Sequence, residues 1–183
     1  MKNLLLQKEQ TGIVMIDAQE KLMSVMGQRD ATLNNMVKLI HLAKWFELPV
    51  LLTEQMPQNI GKTLDEVKSL LPDLKPIEKV EFDCCTVSEF SQKLESLGLK
   101  TIILSGIESH VCVFQTCLSL LERGYRVFVP RDAVDSRTME NHQTGLELMR
   151  EAGAVITSTE TVIFQLLKKA GTDDFRAMLK VIK

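Results

Sequence analysis

The chain has no large excess of charge of either sign, and that absence excludes the first large class of functions. Its 22 Lys and Arg residues against 24 Asp and Glu leave a net charge of −2. Such a balance offers no basic field for a phosphate backbone, so no nucleic acid partner is expected. Long hydrophobic runs are also missing. None approaches the roughly 20 residues needed to cross a bilayer, and no membrane association is expected. The apolar part of the opening "MKNLLLQKEQTG" is too short for a signal-peptide core. Four cysteines, Cys84, Cys85, Cys112 and Cys117, show no disulfide framework, and adjacent Cys84 and Cys85 are poorly placed to bridge each other. The expected setting is a reducing cytoplasm. CxxC and HExxH are absent, and His41, His110 and His142 are scattered. The isolated His110-x-Cys112 pair is a poor start for a zinc site, so no metal and no cofactor are expected.

What is present is ordinary globular material. Hydrophobic residues make up 45% and charged residues 25%, and 183 residues suffice for one domain with a real core. No linker, repeat or low-complexity tract interrupts the chain, so a single domain over 1–183 is expected. Short apolar runs alternate with helical periodicity throughout. "GIVMID" (12–17), "VLLT" (50–53), a short run ending near Lys79, "TIILSGI" (101–107), "YRVFVP" (125–130) and "AVITST" (154–159) read as strands. Between them, 31–47, a stretch near 63–71, 86–97, 110–123, 139–153 and 161–171 read as helices, and the last ten residues suit one more. Glycines at 98 and 124 are natural helix stops.

Apolar strands alternating with helices imply an α/β fold, a three-layer α/β/α doubly wound sheet of about six parallel strands. Ligands of such sheets sit beyond the carboxyl ends of the strands, where strand order reverses. The residues found there are few: Asp17 and Gln19, Glu54 and Gln55, Lys79, Glu108 to Cys112, Asp132 and Thr159.

Among these, Cys112 stands out. With Ser109 as N-cap it would lie in the first turn of a helix, where free amides and the helix dipole favour a thiolate. The same amides can receive an oxyanion. The bland alternative is a small buried hydrophobe, and for Cys117, inside the helix, that reading prevails. Asp17, ending a strand that should neighbour the one before Cys112, can serve as proton acceptor for the thiol and donor to a leaving amine, or can simply cap a turn. Lys79 can keep Asp17 ionised and favour the thiolate, or be a solvated lysine. Gln19 and Phe82 are candidates for lining a pocket, against a turn residue and a core aromatic.

These residues carry a resemblance. "SGIESHVCVFQTCLSLLERGYRVFVPRDAVDSR" (105–137) is similar to the G-[IV]-x-[TS]-x-x-C-V-x-x-T block, strand and "DA…S-R" segment of the isochorismatase-like cysteine hydrolases. "VMIDAQ" resembles their strand-end D-x-Q, and "EKVEFDCC" their lysine followed three residues on by an aromatic. The likeness covers roughly 10–170. It implies a Rossmann-like fold, Cys112 as nucleophile, Asp17 as base and Lys79 as third member. It also implies a cis peptide at Ile107–Glu108 that turns the Glu108 amide beside that of Cys112 as an oxyanion hole, and a homo-oligomer between dimer and octamer.

One departure narrows the branch. "LLTEQMPQNIGKT" (51–63) lacks the aspartate and histidines with which nicotinamidases bind a metal, and resembles instead the YcaC-like, isochorismatase domain-containing branch. The expected activity is hydrolysis of a small amide or related C–N bond. The alternatives are vinyl-ether hydrolysis of the isochorismatase type and a non-enzymatic redox sensor built on a low-pKa thiol.

Overall fold

The computed structural model describes residues 4–182. Met1–Asn3, at the head of the "MKNLLL" segment, and Lys183 lie outside the described residues. The elements follow the chain as β1 (Thr11–Ile16), α1 (Glu20–Met23), α2 (Arg29–Phe46), β2 (Val50–Gln55), α3 (Pro57–Ile60), α4 (Asp65–Lys68), β3 (Ile77–Lys79), α5 (Ser88–Ser96), β4 (Thr101–Ile107), α6 (Cys112–Glu122), β5 (Arg126–Pro130), β6 (Val134–Asp135), α7 (Met139–Ala152), β7 (Val155–Thr157), α8 (Thr159–Leu167) and α9 (Asp173–Ile182).

Every ladder in the sheet is parallel. The order is β3-β2-β1-β4-β5-β7, with β6 pairing the end of β4 beyond β5. Strands buried on both sides need apolar residues at every position rather than every second one, and the fully buried β1 and β4 show this. Val14 and Ile16 of β1 point toward α5, α6 and α7, against Phe90, Leu94, Val113, Leu120 and Met149. Ile13 points the other way, onto α2, α8 and α9, and Met15 onto Met23, Met36 and Ile40.

The strand order reverses between β1 and β4, which puts the switch point beside the ends of these two strands. There the backbones approach so closely that a side chain cannot fit. Gly106 has φ +123°, and a Cβ on it would lie 2.2 Å from the carbonyl oxygen of Ile16. Only glycine meets both demands.

Several boundaries differ from expectation. β1 stops at Ile16, and Asp17 turns off it with φ 51°. The helical stretch near 63–71 reduces to the single turn of α4. α6 begins at Cys112 with Val111 as the residue before it; Ser109 does not cap it, because its hydroxyl is bonded to His142 Nδ1 at 3.0 Å. The Met and Leu residues of 20–40 are core, with Met23 and Met36 fully buried and Met26 and Leu33 nearly so.

Candidate active site

Three chain segments meet beyond the switch point. Asp17 follows β1, Lys79 ends β3, and Cys112 opens α6. The structure brings these three side chains together. Lys79 Nζ lies 2.6 Å from Asp17 Oδ2, with both side chains fully buried. Thr53 Oγ1 donates to Asp17 Oδ1 at 2.7 Å, and the Cys112 thiol lies near enough to the same carboxylate for each to shift the other's proton affinity. Left-handed backbone at Asp17 aims the carboxylate back under the strand ends instead of into solvent.

Lys79 uses all of its ammonium hydrogens within the protein. Besides Asp17 it donates to Gln55 Oε1 at 2.6 Å and to the Glu81 carbonyl at 3.2 Å. An ammonium saturated in this way acts through its field and its grip on Asp17, and has no N–H to offer a ligand.

Burial is the largest influence on Asp17 and pushes its carboxyl above the usual value, opposed by Lys79, Thr53 and Cys112. Burial pulls Lys79 down, but the charge of Asp17 and the neighbouring thiols outweigh it and hold the ammonium above its usual value. An ion pair alone would have drawn the carboxyl down, so the two partners do not shift as simple opposites. With three acceptors around Nζ the proton stays on Lys79, and Asp17 is an anion of raised proton affinity.

The thiol contradicts the expectation of a low pKa. Cys112 is pushed up to about 12, first by burial and then by the charge of Asp17, with Lys79 opposing. Dipole and free amides at the start of α6 are outweighed by desolvation and by an adjacent carboxylate. At rest the sulfur is a neutral thiol beside the Asp17 carboxylate. It is 6% exposed, whereas Cys84, Cys85 and Cys117 are between 0% and 2%. A carboxylate beside such a thiol can take its proton when the sulfur forms a bond, and return it to a leaving group.

The segment joining β4 to α6 is folded around its own amides. The Ile107–Glu108 peptide is cis. The Glu108 carbonyl accepts from Val111 N at 3.0 Å and Val113 N at 3.2 Å. Among the described residues, neither the Glu108 nor the Cys112 backbone N–H donates to another group, so both remain available. The Glu108 carboxylate turns away and pairs with Arg137 Nε at 3.0 Å.

The pocket-lining candidates separate. Gln19 is fully buried, and its amide is spent on the chain: Oε1 accepts from Gln55 N at 2.6 Å, and Nε2 donates to the carbonyls of Gln55 and Gly61. The expectation that it meets a ligand is corrected accordingly. It instead stitches the end of β2 to the loop at 61. Phe82 is 51% exposed on the loop after Lys79, free of the core.

Sequence reading put Gln55 at a strand end without giving it a role, and it gave none to the other residues around the site. Thr53 and Gln55 occupy positions on β2 that only the parallel register aligns with Asp17 and Lys79. His142 and Gly145 come from α7, more than thirty residues away. A Cβ on Gly145 would stand 2.7 Å from the Ser109 carbonyl oxygen, so this glycine lets α7 press onto the 108–110 turn. Among the described residues no three His, Cys, Asp or Glu side chains gather as a metal site.

A match to the Isochorismatase domain runs through residues 11–161. The chain belongs to the isochorismatase family. "Secreted isochorismatase effector Isc1" of Phytophthora sojae is 38% identical over 91% of this chain and 81% of its own. YcaC from Escherichia coli, described as an octameric hydrolase of unknown specificity, superposes with TM-score 0.93 at 26% identity, covering 100% of this chain and 91% of that one. A structure described as MAR1 ribonuclease from Caenorhabditis elegans gives TM-score 0.90 at 32% identity over 97% and 92%. The isochorismatase-like chain thus falls in the YcaC-like branch of a family with hydrolase members. No helix among the described residues is long and apolar enough to cross a membrane.

Proposed function

We propose that the protein is a cysteine hydrolase of a small amide or related C–N bond, acting through an acyl-enzyme on Cys112. The observation that carries this reading is a single buried carboxylate, Asp17, paired with the Lys79 ammonium at 2.6 Å and influenced by the Cys112 thiol beside it. As the sulfur attacks the substrate carbonyl, its proton passes to Asp17. The S–C bond forms, and the carbonyl π pair moves to oxygen. The N–H groups of Glu108 and Cys112 receive that oxyanion. Collapse expels the amine, which takes the proton from Asp17, and water then splits the thioester with Asp17 as base. Lys79 keeps Asp17 ionised before attack. Phe82 supplies a flat apolar wall at the entrance.

The high thiol pKa supports this reading over a redox sensor, since a sensor needs an accessible thiolate. Vinyl-ether hydrolysis would need Asp17 but not sulfur, so it would survive Cys112→Ala. The name of the C. elegans structure suggests RNA as a substrate, but a net charge of −2 gives no field to draw it. A small-molecule substrate is the reading this charge balance favours. Amine release from a panel of small amides tests the proposal. Wild type should release amine from at least one, and Cys112→Ala and Asp17→Asn from none. Unchanged release by Cys112→Ala would overturn it.

A further inference from the structure

Gln55 has an unusually complete set of contacts for a residue at the end of a strand. Its side chain is oriented without ambiguity. Nε2 donates to the Val80 carbonyl at 2.7 Å, so Oε1 is the atom that faces Lys79, accepting from Nζ at 2.6 Å. Its backbone is equally fixed, because Gln19 closes on both its N–H and its carbonyl. The residue is 5% exposed. The register places it directly opposite Lys79, as Thr53 lies opposite Ile77.

We propose, on the triad reading given above, that Gln55 is a positioning residue that aims the Lys79 ammonium at Asp17 and so sets how readily Cys112 gives up its proton. Three acceptors surround Nζ: one charged, one a backbone carbonyl at 3.2 Å, and Gln55. A buried ammonium needs each hydrogen matched. Gln55 is the only neutral side chain of the three, so it fixes the direction of the charge without competing for it. A carboxylate in its place would draw the ammonium from Asp17 and add a negative charge beside the thiol. An apolar side chain would leave one N–H unmatched, and the ammonium would swing away or lose its proton. Both changes weaken the positive field at Asp17 and Cys112.

The test needs no substrate. Wild type, Gln55→Met and Gln55→Glu are treated with iodoacetamide at a fixed alkaline pH, and modification of Cys112 is followed by peptide mass. Thermal unfolding is recorded in parallel. Lys79→Met and Asp17→Asn serve as references, since they remove the charges directly. The expected result is Cys112 alkylation about tenfold slower in both Gln55 variants, equivalent to about one pKa unit, in the same direction as Lys79→Met and opposite to Asp17→Asn. A folded Gln55→Met with wild-type alkylation, while the two references shift, would overturn the role of Gln55 alone. If neither reference moves Cys112, the triad reading itself fails. Should Gln55→Met not fold, Gln55→Glu, close to the native shape, decides the matter.

Discussion

Asp17 and Lys79 are the residues on which the site is most vulnerable, because each is sealed with the other. Replacing Lys79 by Met strands a carboxylate with no cation in a fully buried place, at a cost of about 3–5 kcal/mol. The measurement is the urea midpoint at neutral pH, and a loss under 1 kcal/mol would mean the pair is not held as described. Its pH dependence has a definite sign. The folded chain binds the Lys79 proton more tightly than the usual 10.5, so this stabilisation is complete below that pH and is lost as pH rises through the raised value. Wild type should therefore lose stability above pH 10.5 by an amount that Lys79→Met does not show. Cys112 makes a second prediction at this scale. With its thiol up at about 12, alkylation should climb roughly tenfold per pH unit from pH 7 to 10 without a plateau. A plateau near pH 8 would show that the helix N-terminus governs the sulfur after all. Local sequence suggested that lower value, and it misled because burial depends on what the rest of the chain stacks over the site. Gln19 misled in the same way: its strand-end position was legible, but its partners at Gln55 and Gly61 were not.

At the scale of elements, two glycines bring the strand ends and the turn before α6 into place. Gly106→Ala would put a methyl into the Ile16 backbone and should cost more than about 3 kcal/mol or prevent folding; the check is the thermal midpoint and soluble yield. Gly145→Ala presses on the Ser109 carbonyl, so it should lower turnover more than stability, because the displaced turn carries the Glu108 amide. An equal loss in both would assign α7 a packing role only. The long elements were readable from apolar runs and helical spacing. β6, with two residues, and α1 and α3, with four each, are too short for any period to register. Ser109 shows why helix starts are harder still, since its hydroxyl was claimed by His142 on a distant helix before it could cap the nearby one.

At the scale of the whole molecule, a doubly wound sheet explains why residues 17, 79 and 112 meet at all. Parallel strands deliver their carboxyl ends to one edge, and the reversal between β1 and β4 opens the crevice there. That much followed from the alternation of strands and helices. The outer surface carries a further expectation. Val80, Phe82, Trp45 and Phe164 are all more than two-fifths exposed, apolar surface of the kind that a second copy could cover. We expect self-association, with light scattering on the eluting peak giving at least twice the mass of one chain; a monomer at micromolar concentration would contradict it.

The most direct measurement is a quenched reaction with an amide that the enzyme turns over, followed by peptide mass spectrometry. The account predicts an added acyl group on the peptide bearing Cys112 in wild type and none in Asp17→Asn. Turnover of that amide with no adduct on Cys112 at any time, and at full rate in Cys112→Ala, would contradict it.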